Sequence, residues 1–323
     1  MSKEKKILVV RFNAIGDIIL TSPVTKALHN LGSEVHYLCK DVFKEILESR
    51  PDVIKVWCIK SDVSEVISDL KNEQFDFIVD LHNNLRSKQI KSALRIKAFT
   101  LQKPRIKNLL LTQFGVNKLS GKHIVNRFLD VVKPLGITYE NASLDYFFGP
   151  LDNLSSLPEK FVSIAVGAAY YTKQIPIDKL VQVIDGLDSE IVLIGGPDDV
   201  DLALAIQNKV SKKLINLVGK INISSSAKVI AQSDVLISGD TGMMHLAAAL
   251  KKSVVAVFGS THPVLGYTPF YGNAEIPFSI VQNESLKCRP CTKQGKNSCP
   301  KGHFKCMIDL DVQQIIDKTT ALV

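Results

Sequence analysis

Residues 238–259, SGDTGMMHLAAALKKSVVAVFG, combine residue types that could bind phosphate. DVLIS (234–238) reads as a short apolar strand, and Gly239, Asp240, Thr241 and Gly242 read as a tight turn. Met243 to Leu250 is a helix-forming run and VVAVF (254–258) a second buried strand. Strand, turn, helix and strand make a βαβ unit. The N-terminus of its helix lies at the carboxyl end of the sheet, where backbone amides favour phosphate groups. Asp240 and Thr241 also suit the plainer role of helix caps. His245, one turn into the helix, adds a polar group placed to face the same mouth as Thr241.

A second stretch, RFNAIGDIILTSP (11–23), puts a carboxylate at the end of the first strand. Gly16 permits close backbone approach. Asp17 could act as a general base on a hydroxyl, or it could be an N-cap or first-turn acid favoured by the helix dipole. Asp199-Val200-Asp201 and Asp309-Leu310-Asp311 have the spacing of a metal-binding acid pair. Both fall at helix starts, where acids are favoured without a metal.

The elements that must position these residues alternate. KKILVVRF (5–12) is a strand, NAIGD (13–17) a turn, and IILTSPVTKALHNLG (18–32) a helix stopping at Gly32. EVHYLC (34–39), DVIKVWCI (52–59) and FDFIVDL (75–81) are strands with helices between them. Residues 85–135 read as mostly helical, with LLLTQF (109–114) and IVNRFLDVVKPLG (124–136) as the apolar parts. GPLDNLSSLP (149–158) lacks periodicity and reads as a linker. Alternation restarts with FVSIAVG (161–167), IPIDKLVQVIDGL (175–187), EIVLIGG (190–196), a helix over 198–211, and LINLVG (214–219). The expectation is α/β architecture in two domains, 1–150 and 159–323, each a doubly wound parallel sheet. The second would carry a Cys-rich segment (286–306) and a final helix. A length of 323 residues and 46% hydrophobic content provide for two cores.

The net charge of +8 is concentrated. Residues 81–133 hold Arg86, Lys88, Lys91, Arg95, Lys97, Lys103, Arg105, Lys107, Lys118, Lys122, Arg127 and Lys133 against Asp130, a local +11. Such a window fits an anionic partner or a set of solvated helix faces. Its aromatic residues are few (Phe99, Phe114, Phe128), which argues against base stacking and hence against nucleic acid. No apolar run approaches the roughly 20 residues that span a bilayer. MSKEKKILVVRF reads as a first strand rather than a signal peptide, so the expected compartment is the cytoplasm.

Cys288, Cys291, Cys299 and Cys306 cluster, whereas Cys39 and Cys58 are isolated. In a cytoplasmic chain such a cluster fits a structural zinc, with His303 able to replace one ligand, or a disulfide-prone or free-thiol loop.

R-x4-G-D-x2-L-T-x-P at 11–23 resembles the opening of glycosyltransferase family 9, the ADP-heptose:lipopolysaccharide heptosyltransferases. DLHNNLRS (80–87) is similar to that family's D-L-Q-x-N-L-R-S segment, with His82 in place of Gln. Lys173 in TKQIP (172–176) aligns with S-K-x-W-P, with Gln174-Ile175 departing from it. IVLIGGPDD (191–199) and GDTGMMHLAAAL (239–250) resemble its second-domain motifs. The resemblance implies a GT-B fold, with two Rossmann-like domains facing across a cleft, and inverting transfer of heptose from ADP-heptose to the lipopolysaccharide inner core. It implies Asp17 as general base. The nucleotide-sugar would be held by Lys173, Asp240, Thr241, Gly242 and His245. The acceptor side would hold Arg11, Asn84, Arg86, Lys88 and Lys91, meeting a phosphorylated, lipid-anchored glycan at the cytoplasmic face of the inner membrane. Lysine and helix-end amides would stabilise the leaving diphosphate, so no catalytic metal is expected. A same-fold transferase using another nucleotide-sugar, or an anionic-lipid or nucleic-acid binding protein, are the alternatives.

Overall fold

The computed structural model describes residues 4–137, 142–154 and 157–323; Ser155 and Ser156 of the expected linker lie outside them. Two compact units form, residues 1–103 with 122–149 and residues 104–121 with 150–323. Residues 104–121, within the first half by chain order, thus group with the second unit.

The chain up to Val132 forms β1 (Lys6–Val10), α1 (Ile15–Ile19), α2 (Ser22–Asn30), β2 (Glu34–Lys40), α3 (Glu45–Glu48), β3 (Lys55–Ile59), α4 (Ser64–Asn72), β4 (Phe77–Asp80), α5 (Leu85–Leu94), β5 (Ala98–Thr100), α6 (Arg105–Phe114) and α7 (Ile124–Val132). The strands pair in parallel in the order β3-β2-β1-β4-β5. Near-continuous runs such as Leu8, Val9 and Val10 are fully buried, as a sheet covered on both faces requires. Trp57, the only tryptophan, is packed into this core. Its indole N–H donates to His36 Nδ1 at 3.1 Å, and the Lys55 ammonium lies 3.7 Å from the ring centre.

Several local expectations change. Residues 13–17 do not end as a turn, because α1 begins at Ile15 with Ile18 N–H donating to Ala14 O. The expected helix 18–32 is two helices. Thr21 Oγ1 donates to Ile18 O at the break, and Pro23 sits in the first turn of α2, where its missing N–H is harmless. The basic window also contains β5, whose three residues are too few to show a period.

The second unit's sheet is built from β6 (Val162–Ala165), α8 (Ile177–Gly186), β7 (Ile191–Ile194), α9 (Val200–Gln207), β8 (Ile215–Asn216), α10 (Ile223–Gln232), β9 (Val235–Gly239), α11 (Gly242–Ala249), β10 (Ser253–Phe258) and β11 (Phe278–Gln282), followed by α12 (Lys305–Ile308) and α13 (Val312–Thr320). The parallel order is β11-β10-β9-β6-β7-β8. Renumbered from its own first strand, this is the 3-2-1-4-5-6 order of a Rossmann sheet. The expected helix over 198–211 is a 3₁₀ turn, Pro197–Asp199, leading into α9.

In both sheets the order reverses beside the first strand, between β1 and β4 and between β6 and β9. Ligands of such sheets bind where that reversal parts the loops. The close approach there is tight: a Cβ on Gly239 would stand 2.5 Å from the Lys173 carbonyl oxygen. Gly239→Ala should therefore cost roughly 1–3 kcal/mol by overpacking. Urea unfolding measures this, and an unchanged midpoint would refute the close approach.

Candidate active site

Around the first switch point the loops after β1 and β4 bring Arg11, Asp17, Asp80 and His82 together. Asp17 lies in the first turn of α1, whose N-cap, Ala14, supplies no side chain. Its Oδ2 is ion-paired to Arg11 Nη2. Its buried Oδ1 has no hydrogen-bond partner. Arg11 is itself buried: Nε donates to Asn13 O and Nη1 to Leu81 O, both at 2.8 Å. The guanidinium therefore ties the two loops together and fixes the Asp17 carboxylate.

Asp80 is wholly buried at the end of β4. Its Oδ1 accepts the N–H groups of His82 (3.0 Å) and Asn83 (2.7 Å), and its Oδ2 is 2.8 Å from Lys91 Nζ. Lys91 also donates to Thr100 Oγ1 at 3.0 Å. Asn84 caps α5 by accepting from Ser87 N at 2.9 Å, in a reciprocal capping box. Arg86 donates to Ser61 O. Of the residues expected on the acceptor side, Lys88 is exposed, Arg11 is buried, and Asn84, Arg86 and Lys91 are half-buried with the partners given above.

His82 had signalled itself only as a departure from the resembled motif. Its Nδ1 accepts the Phe12 N–H at 3.2 Å, so the neutral ring carries its proton on Nε2. Burial, reinforced by the charges of Arg11 and Lys103, pushes its pKa from 6.5 down to about 3. The ring is thus a neutral N–H donor with a fixed tautomer, close enough to Asp17 to feel its charge.

At the second switch point Lys173 ends the 3₁₀ turn Tyr171–Lys173, and its Nζ is 2.8 Å from Asp240 Oδ2 beyond β9. Thr241, not Asp240, is the N-cap of α11: its Oγ1 accepts Met243 N–H at 3.3 Å and lies 3.0 Å from Ser238 Oγ. Gly242 opens the helix, and His245 is 4% exposed. Lysine, helix N-terminus and threonine hydroxyl converge as an anion site would require.

The Cys-rich segment borders this site. Thr172 and Lys296 exchange hydrogen bonds, Ser260 Oγ donates to Thr172 Oγ1 (2.8 Å), and Cys291 N–H donates to Ser260 O (2.9 Å). Arg289 anchors the segment by donating to the carbonyls of Phe258, Gly259, Thr261 and Asn283. Its cysteines are free thiols. Cys291 Sγ donates to Cys288 O (2.8 Å), Cys288 Sγ is 3.9 Å from His303 Nε2, and Cys306 packs in the core. Burial and neighbouring thiols push Cys291 up to about 12 and burial pushes Cys306 up to about 11. Among the described residues no three His, Cys, Asp or Glu side chains are grouped to hold a metal ion. Asp199 instead accepts Gly196 N–H at 2.9 Å, and Asp311 caps α13.

Two doubly wound parallel sheets, each with a polar site at its switch point, are the architecture of the GT-B fold class. Residues 63–299 match the profile of glycosyltransferase family 9 (heptosyltransferase), and the chain belongs to that family. The lipooligosaccharide heptosyltransferase 2 of Haemophilus influenzae is 24% identical over 276 residues, 78% of this chain and 77% of that one. The glycosyltransferase family 9 structure from Veillonella parvula superposes with a TM-score of 0.76 at 19% identity, covering 100% of this chain and 98% of that one. The E. coli ADP-heptose lps heptosyltransferase II gives 0.73 at 18% identity, covering 98% of each. These structural likenesses establish the fold.

The His82 environment has a pH signature. Unfolded, the imidazole binds a proton below about pH 6.5, whereas folded it does so only near 3. Stability from this group is complete above pH 6.5 and falls as pH drops towards 3, by up to about 1.4 kcal/mol per pH unit. His82→Gln should flatten that decline in urea midpoints taken between about pH 7 and pH 5. Parallel slopes for the two proteins would refute the assignment.

Proposed function

We propose that this chain transfers heptose from ADP-heptose, with inversion, to a hydroxyl of the lipopolysaccharide inner core. The observation that carries the reading is Asp17: one carboxylate oxygen is pinned by Arg11 and the other has no partner. A buried acceptor atom left unpaired costs about 1–3 kcal/mol, a cost consistent with a group kept for chemistry. In this reading the unpaired oxygen takes the proton of the acceptor hydroxyl. The acceptor oxygen so deprotonated attacks the anomeric carbon from the face opposite the diphosphate, and the breaking C–O bond leaves its electron pair on ADP. Lys173, held by Asp240, and the N-terminal amides of α11 behind Thr241 and Gly242 meet the growing negative charge. His245, buried one turn into α11, lines the nucleotide-sugar side. His82 Nε2–H and Lys88 offer donors to the acceptor, while Arg11, Asn84, Arg86 and Lys91 hold the loops that carry them. The acceptor is lipid-anchored, and the enzyme works at the cytoplasmic membrane face.

For the Cys-rich segment, a structural zinc on Cys288, Cys291, Cys299 and Cys306 is the metal reading, with Cys288 Sγ and His303 Nε2 standing 3.9 Å apart. Binding would require their side chains to turn towards one another. Elemental analysis before and after Cys288→Ser/Cys291→Ser decides between that role and a strap held by Arg289 alone.

Asp17→Asn should lower kcat by roughly 10²–10⁴-fold while calorimetry shows ADP binding nearly unchanged. A variant retaining more than about a tenth of the rate would remove Asp17 as the base. Activity should survive EDTA. Loss that Mg²⁺ restores would return the Asp199/Asp201 pair to consideration.

A further inference from the structure

One segment carries a surface chemistry that the transfer reaction does not use. α6 and the residues behind it expose Ile106 (75%), Leu109 (55%), Phe114 (71%) and Val116 (43%). Within the helix only Asn108 and Leu111 are buried. At 3.6 residues per turn, Leu109, Gln113, Ile106, Leu110 and Phe114 fill one continuous arc of about 140°, opposite the buried pair. Arg105 and Lys107 border the arc on its two sides, both exposed, and exposed Lys118 follows.

An apolar stripe edged with long basic side chains is the pattern of a helix lying in a membrane interface. The apolar groups enter the acyl boundary while lysine and arginine reach headgroup phosphates. Charge decides between occupants. Residues 81–129 contain no acid, so a second copy docking here face to face, by a two-fold, would set like charges against each other. An anionic lipid surface complements them, at about 1 kcal/mol for each basic group near it. We propose that α6 lies in the plane of an anionic bilayer and holds the enzyme where a lipid-anchored acceptor is presented. The second clause rests on the transfer reading above; the lipid contact does not.

The test is flotation of the full chain with vesicles of phosphatidylglycerol and phosphatidylethanolamine, against vesicles of phosphatidylcholine alone. Wild type should float with the former only, and less as salt rises. Leu109→Glu/Phe114→Glu should weaken binding at least about tenfold, since each side chain loses its apolar burial. Its thermal unfolding and its transfer to a deacylated, soluble acceptor should be unchanged. Arg105→Gln/Lys107→Gln should weaken binding and reduce its salt dependence. The proposal is overturned if wild type fails to float, if the Glu variant floats as well as wild type, or if that variant merely turns an oligomer into a monomer. Flotation intact in a wild type that cannot use the soluble acceptor would sink the transfer reading and leave the lipid contact standing.

Discussion

Parallel strands can be joined only by crossovers, and each sheet here builds outwards in both directions from its first strand. Where the direction reverses, the loops after two neighbouring strands diverge and leave polar backbone and side chains without a covering crossover. Arg11 and the α1 residue Asp17 follow β1, and Asp80 and His82 lie at and just beyond the end of β4. Lys173 and Asp240 stand on the loops after β6 and β9. The buried valine and isoleucine runs fix the strands, the strand order fixes the gap, and the gap fixes which residues can meet a ligand.

The two switch points use ion pairs differently. In the first unit Arg11 is buried and spread over a carboxylate and two carbonyls, so its charge is satisfied by a rigid fork of partners. Such a pair costs desolvation and stabilises little, but it sets a carboxylate in one orientation. In the second unit Lys173 meets Asp240 through a single ammonium on a flexible stem. An ammonium can turn between a carboxylate and a phosphate with little rearrangement, which a guanidinium locked to the backbone cannot.

Much of this was legible in the residues. The strands of both sheet centres showed as apolar runs, and the cap of α11 was narrowed to Asp240 or Thr241, between which the fold chose Thr241. What escaped depended on contacts between residues far apart in sequence. β5 is three residues long and acquires its identity from pairing with β4. Arg86 and Lys91 look like free cations in the sequence, yet a carbonyl at Ser61 and a buried Asp80 occupy them. Cys306 reads in the sequence only as the last of four clustered cysteines, and its burial in the second unit's core is a matter of packing. His82 was visible as an odd residue in a motif. That a backbone amide fixes its tautomer required the fold.

The indole of Trp57 has a consequence for watching this molecule unfold. It is the only tryptophan, and it is buried against first-unit neighbours, with His36 and the exposed Lys55 at its ring. Ultraviolet emission excited at the tryptophan band therefore reports one half of the chain, while far-ultraviolet dichroism reports the helices of both. If the halves melt together the two signals coincide, and if they melt separately they part, so the chain carries its own optical test of cooperativity between its sheets.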